Sequence, residues 1–508
     1  MAASVARCPY RHTGIRTLTL LALWTLAAQF PLGAITTEAF SMAPSPPASP
    51  SPPQPSRRII SKADFPAGDG AIEFITDVEG NWDYFSSLVR RSTVLSFDED
   101  GNLSLAPDSF FVHGGDAPDK GPGDIRVVKA LTRLKRECPD RVFLLCGNRD
   151  TNKLRFASEL AEGETGDRVD IYWDENVVPY RDFLDRNDLP DGSVSTLKWM
   201  LECAMGCPTT FETRRMEIAA LRDGGVAGSA EYISDEDVLQ SFRDSVDPSG
   251  EDPWMLDYLR RAQLMATIGD CLFVHGAITG KCLGKVPGRD ASVSEVLHLD
   301  QWCEALNNYA LENIAEYERQ PRWDKKRRRG GESIMNYGVP GGFGGATVVY
   351  NSFMTNGNCD KPDESVIKYL SNAGIQRVFT GHQPTGDCPA VISTDRVTMF
   401  LCDTSYSNTK ADKSRNPSNN RGEATTNVII SCESTTVTGV LASGETHGYT
   451  LKASGDESLL ESLVGKELLD GSWVKSIVGL KLLVARGEGW NVITKRMSVE
   501  DVLSQLKQ

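Results

Sequence analysis

The chain has 508 residues, enough for one large catalytic domain with insertions or for two domains with separate cores. Its 54 Lys and Arg residues stand against 69 Asp and Glu, a formal net charge of -15 that argues against a nucleic-acid backbone as the primary partner. Its 12 cysteines are scattered, mostly in apolar runs such as those holding Cys146, Cys271 and Cys402, which is the placement of buried thiols and not of a disulfide framework. Cys203 and Cys207 have helical spacing and no second pair nearby, so helix packing is the expectation there and structural zinc is not. Residues 1–16 carry Arg7, Arg11 and Arg16 without an acid, and the apolar run "TLTLLALWTLAAQFPLGAI" follows. Residues 1–39 therefore read as a signal peptide, with the small residue Ala39 at its end. A membrane anchor is the alternative, but the run is near the lower length limit for spanning, so no stable span is expected after processing.

Residues 40–70 are Pro- and Ser-rich and predict a disordered presequence or linker. The stretch "EAFSMAP", with Phe40 after the expected cleavage point, resembles the bipartite presequences of algae with secondary red plastids. Entry into the secretory pathway is thus expected, ending in such a plastid or in plain secretion.

Six apolar runs of strand length each end in a residue able to bind a metal or to orient one that does. They are "IEFITD", "SFFVHGGD", "RVFLLCGN", "CLFVHG", "RVFTGH" and "TMFLCD", ending at Asp77, Asp116, Asn148, His275, His382 and Asp403. Helical patterns such as "GDIRVVKALTRLKREC" and "DESVIKYLSNAG" separate several of them, predicting strand–helix units, a mainly parallel sheet and a convergence of strand ends on one edge. Two inserts, about 151–262 and about 279–345, are rich in helical pattern and are expected to cap and wall that edge. Alternating stretches after a polar loop predict further strands up to about 455, and 456–508 reads as a small C-terminal extension.

Taken in order, Asp77, "GGDAPDKG", "GNRD", "VHG" and "GH" resemble the motifs of the calcineurin-like metallophosphoesterase superfamily over residues 72–408, in the motif order of its Ser/Thr phosphatases. The resemblance implies an α/β fold: a two-sheet sandwich flanked by helices with helical cap insertions, spanning 71–455. It also implies hydrolysis of a phosphoester by metal-activated water at a dinuclear centre, where two ions about 3.5 to 4 Å apart share a carboxylate. Asp116 would be that bridge; Asn148, His275 and His382 would complete one ion's ligands, and Asp77 with Glu79 the other's. The family has His where this chain has Glu79, and a carboxylate there favours Mn²⁺ or Mg²⁺, with Fe or Zn as alternatives.

A second departure is Arg149, where the family has a histidine that protonates the leaving group. Arginine is a poor proton donor but suits phosphate oxygens. "GNRD" thus supplies Asn148, Arg149 and Asp150 as catalytic candidates, while Lys120, Arg149, Lys153 and Arg155 are candidates for holding a phosphorylated protein, nucleotide or small molecule. His113 is expected to be a packed histidine, and "KKRRR" (325–329) a solvated loop. The alternative to a phosphatase is a weakened pseudophosphatase or phospholigand-binding protein; a secreted structural protein would leave the strand-end ligands without purpose.

Overall fold

In chain order, β1 (Lys62–Ala63) and β2 (Ile72–Ile75) precede a hairpin of β3 (Leu95–Phe97) and β4 (Leu103–Leu105), then β5 (Phe110–His113) and β6 (Val142–Leu145). Past the first insert come β7 (Ala262–Gln263), β8 (Met265–Ile268) and β9 (Cys271–Val274). Two small ribbons follow, β10 (Lys285–Pro287) with β11 (Val293–Glu295) and β12 (Met354–Thr355) with β13 (Asn358–Cys359). The series continues with β14 (Arg377–Thr380), β15 (Ala390–Ser393), β16 (Thr398–Leu401), β17 (Thr425–Ile430), β18 (Ser434–Val440) and β19 (Thr446–Lys452). It ends with β20 (Trp473–Val478), β21 (Lys481–Glu488) and β22 (Asn491–Met497). This computed structural model describes residues 59–161, 163–164, 177–222, 230–288, 293–404, 424–488 and 491–507. The expected signal peptide and residues 40–58 lie outside the described residues.

Two mixed sheets form the centre of the molecule. One runs β19-β18-β17-β2-β5-β6-β7, with β2, β5, β6 and β7 parallel and the β17–β19 meander antiparallel. The other runs β1-β8-β9-β14-β16-β15, with β9, β14 and β16 parallel and antiparallel strands on either side. All six apolar runs are strands, but they divide equally: β2, β5 and β6 in one sheet, β9, β14 and β16 in the other. A single mainly parallel sheet is therefore corrected to two mixed ones. The reason is that every residue of β2, β6, β9 and β14 is buried, and a run covered on both faces does not reveal which sheet it joins.

Aromatic rings lock the two sheets together. Phe74 of β2 lies 5.6 Å from Phe273 of β9 and 5.9 Å from Phe379 of β14, and the stack continues from Phe379 to Phe400 of β16 at 4.8 Å. These rings fix the register between the strand ends that follow them, each pair contributing about 0.5–1.5 kcal/mol beyond its buried area. On the outer faces, the helix Trp82–Arg91 packs on β17, Asp124–Glu137 on β6, and Leu299–Arg319 on β7 and β8. Asn307 of the last helix accepts the backbone N–H groups of Leu264 and Met265, tying it to the sheet. The architecture is thus an α/β two-sheet sandwich flanked by helices.

Two boundaries differ from expectation. Within 59–70, placed above in a disordered linker, Lys62–Ala63 pairs in parallel with Thr267–Ile268 as an edge strand, and Phe65 packs against the inter-sheet core. A two-residue strand leaves no periodicity to read. Past 456, Leu463, Val464, Leu468, Val474, Leu482, Val484 and Val502 share one buried cluster with Phe74, Phe273 and Phe379, so the C-terminal ribbon extends the inter-sheet core. The described residues of both inserts include helices, Thr210–Arg222 in the first and Leu299–Arg319 in the second. No disulfide joins the cysteines of the described residues, and no helix among them is long and apolar enough to cross a membrane.

Candidate metal centre at the strand ends

The loops after β2 and β5 continue to pair beyond the strands: the N–H groups of Asp77, Glu79 and Gly80 donate to the carbonyls of Gly115, Asp116 and Ala117 at 3.0, 3.0 and 2.7 Å. This ladder requires unusual backbone. Of the eleven non-glycine residues with positive φ among those described, six lie here: Asp77, Glu79, Asp116, Asp119, Lys120 and His382. Such concentration of left-handed residues at one place is the mark of a site whose side-chain directions matter more than local comfort. Two motif glycines have a matching cause. A Cβ on Gly147 would stand 2.0 Å from Asp116 Oδ1, and one on Gly381 would stand 2.0 Å from Asp77 Oδ2, so both carboxylates lie against bare backbone.

Asp77, Asp116, Asn148, His275 and His382 arrive from the ends of β2, β5, β6, β9 and β14 and meet. His275 Nδ1 is 2.8 Å from the carbonyl oxygen of Gly114, which can only accept, so the imidazole presents Nε2 to the interior of the cluster. There Nε2 faces Asn148 Oδ1 at 3.2 Å and Asp116 Oδ1 at 3.5 Å, while His382 Nδ1 is 3.0 Å from the same Asn148 oxygen. Asp77 accepts the His382 backbone N–H at 3.0–3.1 Å and the Thr76 hydroxyl. Ligand atoms of Asp77, Asp116 and His275, all buried, lie within 4.8 Å of one another. Imidazole nitrogens, an amide oxygen and carboxylate oxygens pointing at one another fit a divalent cation, and a histidine anchored through its other nitrogen to a carbonyl is how metal-ligating histidines are usually held.

The opposite side of the cluster is occupied by side-chain cations. Glu79 Oε1 is 2.8 Å from Arg149 Nε and its Oε2 2.9 Å from Lys120 Nζ. Arg149 also lies 3.6 Å from Asp116 Oδ2, and its Nη1 donates to Asp119 at 3.4 Å and to the Met205 carbonyl at 3.1 Å. Lys153 donates to Asp119 at 2.6 Å. Lys120, Arg149 and Lys153, read from the sequence as phosphate contacts, are thus each engaged by carboxylates. Arg155 turns to Glu159 with two hydrogen bonds of 2.8 Å. Asp150 braces the loops: its carboxylate accepts the N–H groups of Asp116, Ala117 and Gly147 at 2.9, 3.0 and 2.6 Å. His113 is fully buried beside the Tyr258 hydroxyl at 3.1 Å, as a packed histidine should be.

Burial dominates the electrostatics. It pushes Asp77 well above the ordinary carboxylate range, and the neighbouring Asp403 and Asp116 add to the rise. Asp116 is also raised by burial, against the pull of His275 and Arg149, and Asp150 is raised to about 7 by burial and by Asp116. Burial lowers His382 strongly, helped by His275 and Arg149, which keeps its imidazole neutral as a ligand must be. For Arg149 burial acts downward, but Glu79, Asp119 and Asp116 together hold its affinity for the proton well above normal.

Both inserts reach the site. In the first, the Thr210 hydroxyl accepts the Lys120 N–H at 2.9 Å, Arg214 pairs with Asp124 at 2.7 Å, and Glu217 accepts the N–H groups of Ile125 and Arg126 at 3.0 Å each. Asp124 in turn accepts the Asp119 N–H at 2.8 Å, so the insert grips the acidic loop through its neighbour. In the second, a Cβ on Gly338 would stand 3.4 Å from the Asn148 Cα; just past it, the Val348 carbonyl accepts the Gly276 N–H at 2.9 Å, and the Tyr350 ring lies 4.6 Å from the His382 ring at an interplanar angle of 66°. Asp119, Met205 and Tyr350 were missed from sequence. Asp119 had a signal, as the second acid of "GDAPD"; Met205 and Tyr350 had none.

No family model and no curated protein sequence matches the chain. Among solved structures, it is similar to a cold-active protein-tyrosine phosphatase of a psychrophile, Shewanella sp., with 14% identity over 78% of this chain and 84% of that one and a TM-score of 0.41. It is similar also to a protein serine/threonine phosphatase from Saccharomyces cerevisiae, with 12% identity over 79% of this chain and 86% of that one and a TM-score of 0.35.

Proposed function

We propose that the chain is a metal-dependent phosphoester hydrolase of the calcineurin-like metallophosphoesterase type. The observation that carries the reading is the meeting of Asp77, Asp116, Asn148, His275 and His382 from five strand ends in two sheets, with the His275 tautomer set by the Gly114 carbonyl. A divalent ion, Mn²⁺ or Mg²⁺ by the share of oxygen donors, would be held by Asp116, Asn148, His275 and His382 with Asp77 alongside, and would activate water and polarise a phosphoryl oxygen. The chain's own groups do the rest. Asp150 and the glycines hold the ligand loops in place, Thr76 and the His382 N–H orient Asp77, and Arg149 gives the site a permanent positive charge beside Asp116. Arg149 does not serve as proton donor, so leaving-group departure depends on the leaving group's own basicity.

The test is steady-state hydrolysis of p-nitrophenyl phosphate and of alkyl phosphates by the full chain with added Mn²⁺. Activity should require metal, disappear in His275→Ala, and fall steeply from aryl to alkyl leaving groups. Metal binding without turnover on phosphopeptide, nucleotide and small ester alike would favour the phospholigand-binding reading, to which the engagement of Lys120, Arg149 and Lys153 by carboxylates lends support. The N-terminal segment is proposed to direct the protein into the secretory pathway, with a secondary plastid or secretion as its destination.

A further inference from the structure

We infer that the centre takes one divalent ion and that Arg149 stands in the place of a second. The inference rests on the phosphoesterase reading for the purpose of the site, and on ion pairs within the chain for its content. A dinuclear centre would need, beyond the shared carboxylate Asp116, a second set of donors open to a metal. The residues that would provide them are Asp77 and Glu79; Asp77 stands with Asp116 and His275, their ligand atoms within 4.8 Å of one another, and each oxygen of Glu79 already faces a cation, Arg149 Nε at 2.8 Å and Lys120 Nζ at 2.9 Å. Asp116 is divided between the two sides: Oδ1 faces His275 at 3.5 Å and accepts the Arg149 backbone N–H at 2.8 Å, while Oδ2 faces the guanidinium at 3.6 Å.

Arg149 is held from several directions. Its Nε points at Glu79, its Nη1 donates to Asp119 and to the Met205 carbonyl, and its backbone lies in the short helix Asn148–Thr151 that also presents Asn148. Guanidinium does not give up its proton, so a divalent ion beside Glu79 would meet two half-buried cations at contact range.

The experiment is Mn²⁺ titration of the chelator-stripped full chain, read by bound metal per chain and by electron paramagnetic resonance at low temperature. The parent should bind about one Mn²⁺ with the spectrum of an isolated ion. Glu79→Gln should keep that ion, and His275→Ala should lose it while circular dichroism shows the fold retained. Arg149→Ala should admit a second ion and turn the spectrum into that of an exchange-coupled pair. Two coupled ions in the parent, loss of the single ion in Glu79→Gln, or a count unchanged in Arg149→Ala would each overturn the inference while leaving a metal-dependent hydrolase standing. No Mn²⁺ bound by the parent would instead overturn the phosphoesterase reading, and the inference with it.

Discussion

The imidazole side and the guanidinium side of the strand-end cluster share Asp116 and lie on adjoining loops, yet they neutralise buried acid in different ways. On the first, the groups facing one another are lone-pair donors: His275 Nε2, Asn148 Oδ1, His382 Nδ1 and an oxygen of Asp116. On the second, Glu79 and Asp119 are met by Arg149, Lys120 and Lys153 from the chain itself. A charge brought by the chain is permanent and contributes to folding; a charge supplied by a bound ion is exchangeable and contributes to chemistry. Mutations should therefore divide, those on the first side removing metal and turnover, those on the second lowering stability, with Arg149 alone also opening room for a further ion.

The largest effect is expected at His275. Removing its imidazole takes away a donor and leaves the Gly114 carbonyl without its partner, and because a bound metal provides several kcal/mol of transition-state stabilisation, kcat/KM for aryl phosphate should fall about 10³-fold or more. A loss under tenfold would erase the distinction between the two sides. Asp119→Ala probes the other side. It leaves Lys153 buried without its 2.6 Å carboxylate and weakens the hold on Arg149, and breaking a buried ion pair from one end costs about 3–5 kcal/mol. Denaturant unfolding should show that loss while Mn²⁺ affinity changes far less. The reverse pattern, an unchanged midpoint with metal binding abolished, would place Asp119 among the ligands.

Much of the imidazole side was legible in the sequence, because it is a local property. A buried strand must end where its apolar run ends, and the residue found there is Asp, Asn or His in each of the six runs. The guanidinium side was legible only in part. Lys120, Arg149 and Lys153 stand out as cations near the motifs, but whether they face a substrate or a carboxylate depends on which loops the sheet brings together. Asp119 meets Lys153 across 34 residues of chain, and Arg149 meets the Met205 carbonyl across 56. Tyr350 comes from the segment after an insert whose length hides its direction, and β1 is too short to carry a pattern. The fold class was readable; the division of strands between sheets was not, since double-sided burial looks alike in both.

A third way of neutralising a buried acid lies on the strand that leads into Asp77. Glu73 of β2 is fully buried with no cation paired to it among the described residues, accepting from the Ser92 hydroxyl and from Asn427 Nδ2 at 2.8 Å, and burial raises it from 4.5 to about 7 despite those bonds. The folded state thus holds a proton that the unfolded chain releases at lower pH. Its stabilising contribution is complete below about pH 4.5 and is lost as pH rises through about 7. Glu73→Gln removes that titration, so the stability of the variant relative to the parent should increase by about 2 kcal/mol between pH 5 and pH 8, read from urea unfolding at both. A constant difference would show that Glu73 stays ionised in the fold and belongs with the paired acids.

The smallest expected effect tests how far the imidazole side depends on what surrounds it. The Tyr350 ring meets the His382 ring at 4.6 Å and 66°, an edge-on contact that limits rotation of an imidazole whose Nδ1 must face Asn148. Asn351 secures the segment that carries Tyr350 by donating to the Gly345 carbonyl at 3.0 Å and to that of Thr347. An aromatic contact of this kind is worth about 0.5–1.5 kcal/mol, which converts to roughly 2- to 13-fold in affinity. Tyr350→Leu should weaken Mn²⁺ binding within that range and leave the unfolding midpoint nearly unchanged, whereas Tyr350→Phe keeps the ring and should behave as the parent. If Phe proves as weak as Leu, the hydroxyl and not the ring orients the site. If neither variant changes Mn²⁺ affinity, His382 is held by its backbone N–H on Asp77 alone, and the left-handed turn at residue 382 is then sufficient to aim it.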